Sequence, residues 1–150
     1  FDDRVNEFLA IAGGFDGFLF GTPVHWAAAD GFLTSFMGRA FYVDQLAGLN
    51  TFYLKPAAGV ISARRAGTTS TWDQINKYFG LMQMPIVTSQ YWNHVHGRTP
   101  DEVRQDIEGM QTMRTLARNM AYMLRCREAA SKADVPMPKC EPVTFFNFIH

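Results

Sequence analysis

Three short apolar runs limit what this chain can fold into. Phe18-Leu19-Phe20, residues 56–62 (PAAGVIS) and residues 84–89 within MPIVTSQ each read as a buried strand. Between them lie segments with helical spacing rather than two-residue turns. Strands joined through helices run parallel, and a parallel sheet needs cover on both faces. One α/β domain over residues 1–150 is therefore expected, with no internal repeat and no low-complexity stretch.

The helical segments carry their own signals. Asp2-Asp3 precedes Val5, Phe8, Leu9 and Ala12 at helical steps, and Gly13-Gly14 stops the run. A chain that opens inside a helix without an initiator methionine is expected to be the later part of something longer. Residues 28–40 read as a helix with Phe32, Leu33, Phe36 and Met37 on one face. Thr71 and Gln74 have the spacing of a capping box, ahead of a helix to about Met82 with Ile75, Tyr78 and Phe79 inward. Thr99, Pro100 and Glu102 form the strongest start signal of all. Behind them Val103, Ile107, Met110, Met113, Ala117, Met120 and Leu124 predict one long amphipathic helix to near Lys132. Residues 133–150 contain three prolines and end apolar, and are expected to form an arm that docks on a neighbour.

Composition narrows the function classes. With 14 basic and 14 acidic residues and no cationic run, the chain offers nothing that tracks phosphates, so nucleic acid is not an expected partner. No apolar segment approaches bilayer length, so no membrane partner is expected either. Cys126 and Cys140 lie far apart outside any C-x-x-C pattern, which points to a reducing, cytoplasmic setting. The 13 phenylalanines imply either a ring-rich core or a surface for a flat ligand or second subunit.

In open α/β sheets the chemistry sits outside the carboxyl ends of the strands. Those ends are GTPVHW, SARRAGTT and SQYWNHVHG. None holds a nucleophile–base set, carboxylate pair or P-loop, so no catalytic side chain is named. His94 and His96 are adjacent ligand types, but a zinc site needs three or four, and no metal is expected.

The segment DGFLFGTPVHW resembles the DGIIFGSPVYF segment of flavodoxin-like, FMN-dependent NAD(P)H oxidoreductases, a group that includes the NADPH-dependent FMN reductases and iron–sulfur flavoproteins. SARRAGTTSTWDQINKYF is similar to their loop after the fourth strand, and MPIVTSQYWNHVHG with EVRQDIEGMQTMRTLARNMAYML to their fifth strand and last helix. The likeness runs in order from Asp3 to about Leu124. It implies a flavodoxin-like three-layer α/β/α sandwich with a parallel sheet. Strands 1 and 2, together with the phosphate-binding loop, would belong to an N-terminal remainder outside this chain.

The resemblance also implies the site. Thr22, Pro23, Val24, His25 and Trp26 would border the flavin ring, with His25 where the family usually has tyrosine. Ser62, Arg64, Arg65 and Gly67 would approach its pyrimidine edge, one arginine in contact and the other facing solvent or phosphate. Tyr91, Trp92, Asn93 and His96 would form a lid over flavin and substrate. FMN would be the cofactor and NAD(P)H the co-substrate, with hydride passing at flavin N5 to a quinone, free flavin, metal centre or other small-molecule acceptor. A homodimer or homotetramer is implied. The other readings of the same residues are a cofactor-free interaction module with a core aromatic corner, and a one-electron flavodoxin-type carrier; a net charge of +0 is unlike the acidic carriers.

Overall fold

The computed structural model describes residues 3–146. The first helix, α1 (Arg4–Ala12), starts where the Asp3 carboxylate accepts hydrogen bonds from the Val5 and Asn6 N–H groups, each at 3.1 Å. Arg39 of α2 (Gly31–Ala47) pairs with the same carboxylate, and this hydrogen bond above all holds Asp3 below the usual carboxylate range. The cap thus also ties α1 to α2.

The sheet has the order β2-β1-β3-β4. β1 (Phe18–His25) runs parallel to β3 (Ala57–Ala63), from Phe18 opposite Ala57 to Pro23 opposite Ser62. β3 in turn pairs in parallel with β4 (His94–His96). The two-residue β2 (Ala28–Ala29) folds back antiparallel on Val24 and His25, so the sheet is mixed rather than wholly parallel. Over Phe18–Pro23 the edge of β1 opposite β3 has no strand partner among the described residues.

Each strand's burial follows from its place. Along β1, Phe18, Phe20 and Thr22 are buried while Leu19, between them, is 62% exposed. The buried side packs on α1, α2 and α3 (Thr68–Leu81) through a phenylalanine cluster, with Phe52 centroids 4.7 Å from Phe41 and 5.1 Å from Phe18. Much of the high phenylalanine count therefore resides in this core. β3 is covered on both faces: Ile75 and Phe79 lie on the α3 side, while Leu116 and Met120 of α5 (Ile107–Lys132) join Ala58 on the other. Gly59 permits that contact, because a Cβ there would sit 3.1 Å from Ile75 Cγ2.

Several expectations are corrected. Residues 84–89 do not form the third strand; Ile86 makes one bridge to Ala57, and the ladder resumes only at His94 opposite Ile61. Eight positions on this segment match four on β3, so four residues must loop out. Asn93 holds the excursion closed: it is fully buried, its Nδ2 donates to the Val87 carbonyl (3.1 Å), and its Oδ1 accepts from Ser89 Oγ (2.8 Å). The final helix is not continuous either. It breaks at Asp106 between α4 (Pro100–Gln105) and α5, and the inward stripe becomes Gly109, Thr112, Leu116 and Met120, with Ile107 and Ala117 exposed. Thr99 does cap α4, at 3.3 Å from the Glu102 N–H.

The Thr71–Gln74 box does not form. Gly67 is the N-cap of α3, Thr71 is buried inside the helix, and Gln74 accepts instead from the Ala29 N–H at 2.9 Å. Residues 28 and 29 are strand, so α2 starts at Gly31 behind an Asp30 cap. In the tail, Tyr53 donates to the Pro138 carbonyl at 3.2 Å, so the start of the arm lies on its own chain. Its apolar end at Phe148 and Ile149 lies outside the described residues.

Phe52→Ala should lower unfolding stability by about 3–5 kcal/mol, because a buried ring is lost and a cavity is left. Guanidinium unfolding followed by circular dichroism measures this. Ile11→Ala, on the exposed side of α1, should stay within about 0.5 kcal/mol.

Candidate functional site

The carboxyl ends of β1, β3 and β4 meet around the first turn of α3. β1 does not stop at Gly21; it carries Thr22, Pro23, Val24 and His25 as strand, and the turn proper is Trp26-Ala27. Pro23 therefore sits in the strand and not in the turn. It lies just before the short pairing with β2, on the edge that needs no donor. Trp26 and Ala27 both take left-handed backbone, with φ of 52° and 60°. Two positive φ values suit a tight hairpin, but asparagine and glycine are the usual residues there. A tryptophan and an alanine cost about 1–2 kcal/mol each.

Neighbours offset that strain. Ser70 Oγ donates to the Ala27 carbonyl at 2.8 Å, the Ala29 N–H to Gln74, and the Asp30 N–H to Thr22 Oγ1 at 2.9 Å. Three such hydrogen bonds contribute about 1 kcal/mol each. Gly67 makes the approach possible: its φ is +91°, and a Cβ would fall 2.8 Å from Val24 Cγ1 and 2.9 Å from Ala27 Cα. Thr22 is buried and supports the hairpin rather than lining its surface. Trp26 is fully exposed at the tip, and Val24 is half-buried. His25 Nδ1 lies 3.0 Å from Asp30 Oδ2.

The β3 end supplies the opposite wall. Ser62 is half-buried beside Pro23, whereas Arg64 and Arg65 are exposed, with no ion-pair partner among the described residues. The structure therefore brings Gly67 against Val24 and Ala27 and sets Ser62 beside Pro23, with Arg64 and Arg65 in the turn between Ser62 and Gly67; Ser62 borders a groove with Arg98, Thr99 and Met110. On the other flank of α3, Tyr91, Trp92, His94 and His96 line a groove of about 310 Å³ with Thr68, Thr69, Asp106 and Glu108. Tyr91 meets Trp92 edge-on at 4.6 Å, and His94 meets His96 likewise at 4.8 Å. Asn93 lies beneath this groove, committed to Val87 and Ser89.

Electrostatics in the groove follow from burial. His94 Nδ1 is buried with no hydrogen-bond partner among the described residues. Burial, and then the charge of His96, push the His94 imidazole below its usual range. Burial pushes the Asp106 carboxyl up. Hydrogen bonds from the Gly109 and His96 N–H groups and the nearby imidazoles outweigh that and hold it below the usual range. Asp106 thus ends α4, caps α5 and fixes β4 with one side chain. Among the described residues no three His, Cys, Asp or Glu side chains group to hold a metal ion, and no helix is long and apolar enough to cross a membrane.

The groups here that could hold a flat aromatic ligand are an exposed aromatic tip, a strand-edge proline, two arginines with no ion-pair partner among the described residues, and Gly67, which lets α3 approach the hairpin. Reading from sequence missed Asp30, Ser70 and Asp106, and gave Gln74 a capping role in place of its contact with the Ala29 N–H. Asp30 and Asp106 each stand just ahead of a helix, a signal that could have marked them as caps; nothing local marks the reach of Ser70 or Gln74 to the hairpin.

Residues 1–99 match the family model of NADPH-dependent FMN reductases. An iron–sulfur flavoprotein of Methanocaldococcus jannaschii is 25% identical over 134 residues, covering 82% of this chain and 66% of the relative. The chain thus spans just under two thirds of that relative's length. Two solved structures share the fold. One is a flavodoxin, WrbA-like protein from Agrobacterium tumefaciens (12% identity, TM-score 0.57, 84% of this chain and 73% of that one). The other is RosB, with 8-demethyl-8-formylriboflavin-5'-phosphate bound (14% identity, TM-score 0.62, 100% and 70%).

Two outcomes test the geometry. Ala27→Gly should stabilise the protein by about 0.4–1 kcal/mol, and Gly67→Ala should destabilise it by more than that, both read from thermal or denaturant unfolding. Separately, His94 favours the neutral form when folded. Its contribution is present above the unfolded value of about 6.5 and is lost as pH falls below it. His94→Phe should flatten the stability–pH curve in that window.

Proposed function

The chain belongs to the NADPH-dependent FMN reductase family, and from that premise we propose that it forms the ring-facing side of an FMN site in an NAD(P)H oxidoreductase. The observation that carries the reading is the strained Trp26-Ala27 hairpin locked against Gly67 and Ser70. A fold that keeps left-handed backbone on an exposed tryptophan and the alanine beside it is shaped for something other than stability. The chemistry FMN supplies when bound is acceptance of a hydride from NAD(P)H and its delivery to an acceptor such as a quinone or another flavin.

The chain's own residues bind and orient. Trp26 and Pro23 offer flat apolar surface to one side of the ring, and Val24 backs it. His25 stands at the rim. Ser62 and the Arg64-Arg65 turn present donors and positive charge, which would favour negative charge on the reduced pyrimidine edge. Tyr91, Trp92 and His96 border the groove in which nicotinamide or acceptor would lie, with Asn93 setting their loop from beneath.

Cover for the remaining faces completes the reading. The Phe18–Pro23 edge of β1, without a strand partner among the described residues, supports a further strand and a phosphate-binding loop, from an N-terminal remainder of the domain. Exposed Phe32, Tyr42, Leu46 and Leu49 along α2 and the turn behind it support a homodimer or homotetramer. A cytoplasmic setting accords with Cys126 and Cys140, both free thiols.

FMN titrated into the full-length protein should lose fluorescence, and NADPH should be oxidised when a quinone is supplied. Replacing Arg64 and Arg65 together by alanine should weaken FMN binding by about tenfold or more, the loss of one charge-assisted contact. A protein that leaves FMN fluorescence unchanged would sink the proposal.

A further inference from the structure

The groove between the first turn of α3 and the start of α5 is lined by side chains with unspent hydrogen bonds. Thr68 and Thr112 both line it, and they are only 5% and 1% exposed. Neither hydroxyl makes a hydrogen bond among the described residues. Neither is sealed off as His94 Nδ1 is, so both open into the groove. A buried hydroxyl without a partner is destabilising, and two that face one space mark it as a place where something polar binds.

The walls disfavour either kind of ion. On one side α3 starts at Gly67, which has no side chain to cap the first N–H groups, and that end of a helix repels a cation. On the other side stand Asp106 and the exposed Glu108, which repel an anion. Asp106 is anchored there by the His96 and Gly109 N–H groups, at 2.7 and 2.9 Å. Burial favours the neutral form of His94 between these walls. Tyr91 and Trp92, each about half exposed, add a flat apolar lip. A neutral, flat ligand fits these demands if it turns an acceptor to the hydroxyls and an amino donor to the carboxylates.

We propose that this groove holds a flat heterocycle by an edge that sets an acceptor beside an amino donor, and so seats one ring of the dinucleotide co-substrate. The carboxamide of nicotinamide and the amidine edge of adenine share that chemistry. Thr68 and Thr112 donate to the acceptor, Glu108 accepts from the amino group, and Tyr91 and Trp92 cover the ring. At about 310 Å³ the groove is at the small end for ligand pockets, with room for a ring and not for a whole dinucleotide. The inference rests on the NAD(P)H part of the reading above, and it adds a site that does not use the Trp26 hairpin.

The test titrates nicotinamide mononucleotide and adenosine monophosphate separately into full-length protein with no flavin added, followed by ¹H–¹⁵N spectra. At least one should move the Thr68, His96 and Thr112 amides and the Trp92 indole along one saturable curve, and the tighter binder names the ring. Ribose 5-phosphate, which has the phosphate and no ring, should move none of them. Nicotinic acid mononucleotide and inosine monophosphate carry oxygen in place of the amino group. The one that matches the bound ring should bind about tenfold more weakly, the loss of one charge-assisted contact. Thr112→Val should weaken binding about fivefold. Glu108→Gln, at an exposed position, should do the same and reads the site even if Thr112→Val does not fold. Silent groove signals, equal shifts from ribose 5-phosphate, or an affinity indifferent to the amino group or to both substitutions overturns the inference. FMN titrated into the same protein separates the two readings. Quenched FMN with a silent groove overturns this inference alone, and groove shifts without FMN binding overturn the flavin site alone.

Discussion

Parallel pairing of β1 with β3 puts both carboxyl ends on one edge of the sheet, and the remaining arrangement depends on that edge. The register runs from Phe18 opposite Ala57 to Pro23 opposite Ser62. Because the strands point the same way, the chain must cross back through α2 between them, and the segment after each strand emerges at the same end. The hairpin after β1 and the arginine turn after β3 therefore face each other without any specific attraction between them. β3 can occupy the middle because its residues are small and branched, so α3 and α5 approach from both sides.

Close approach at that edge is governed by steric room more than by attraction. Gly67 is the position at which any side chain would meet Val24 and Ala27 at under 3 Å. Given that room, the first turn of α3 reaches the hairpin with Ser70 and Gln74 and holds Trp26 and Ala27 in a conformation they would not choose. The local cost and the stabilising hydrogen bonds are both of the order of a few kcal/mol. The exposed tryptophan is thus kept in place by groups 43 to 45 residues further along the chain.

Different residues were legible to different degrees. Asp3 and Thr99 each cap a helix through N–H groups within three residues of themselves, so that geometry follows from the local chain, and the apolar periods of α1 and α3 are equally local. Asn93 is different. Its side chain closes a four-residue excursion whose existence depends on where β3 lies, and nothing in YWNHVHG signals that the ladder resumes at His94. Asp106 interrupts a run of helical spacing because its carboxylate is drawn to the His96 N–H as well as to Gly109. The Thr71–Gln74 box had the right spacing, yet Gly67 started the helix one turn earlier and the hairpin took Gln74.

The amino-acid sequence alone determined the alternation of strands and helices, hence a covered α/β sheet, and it placed the polar and aromatic side chains at the strands' carboxyl ends. These properties depend on periodicity and caps, which act over a few residues. Tertiary structure alone decided that the turn is Trp26-Ala27 rather than the proline, and that Asn93 supports while Tyr91 and Trp92 line the groove. Each of those outcomes depends on how closely two distant segments can approach, and that distance is set by packing that no short stretch of chain contains.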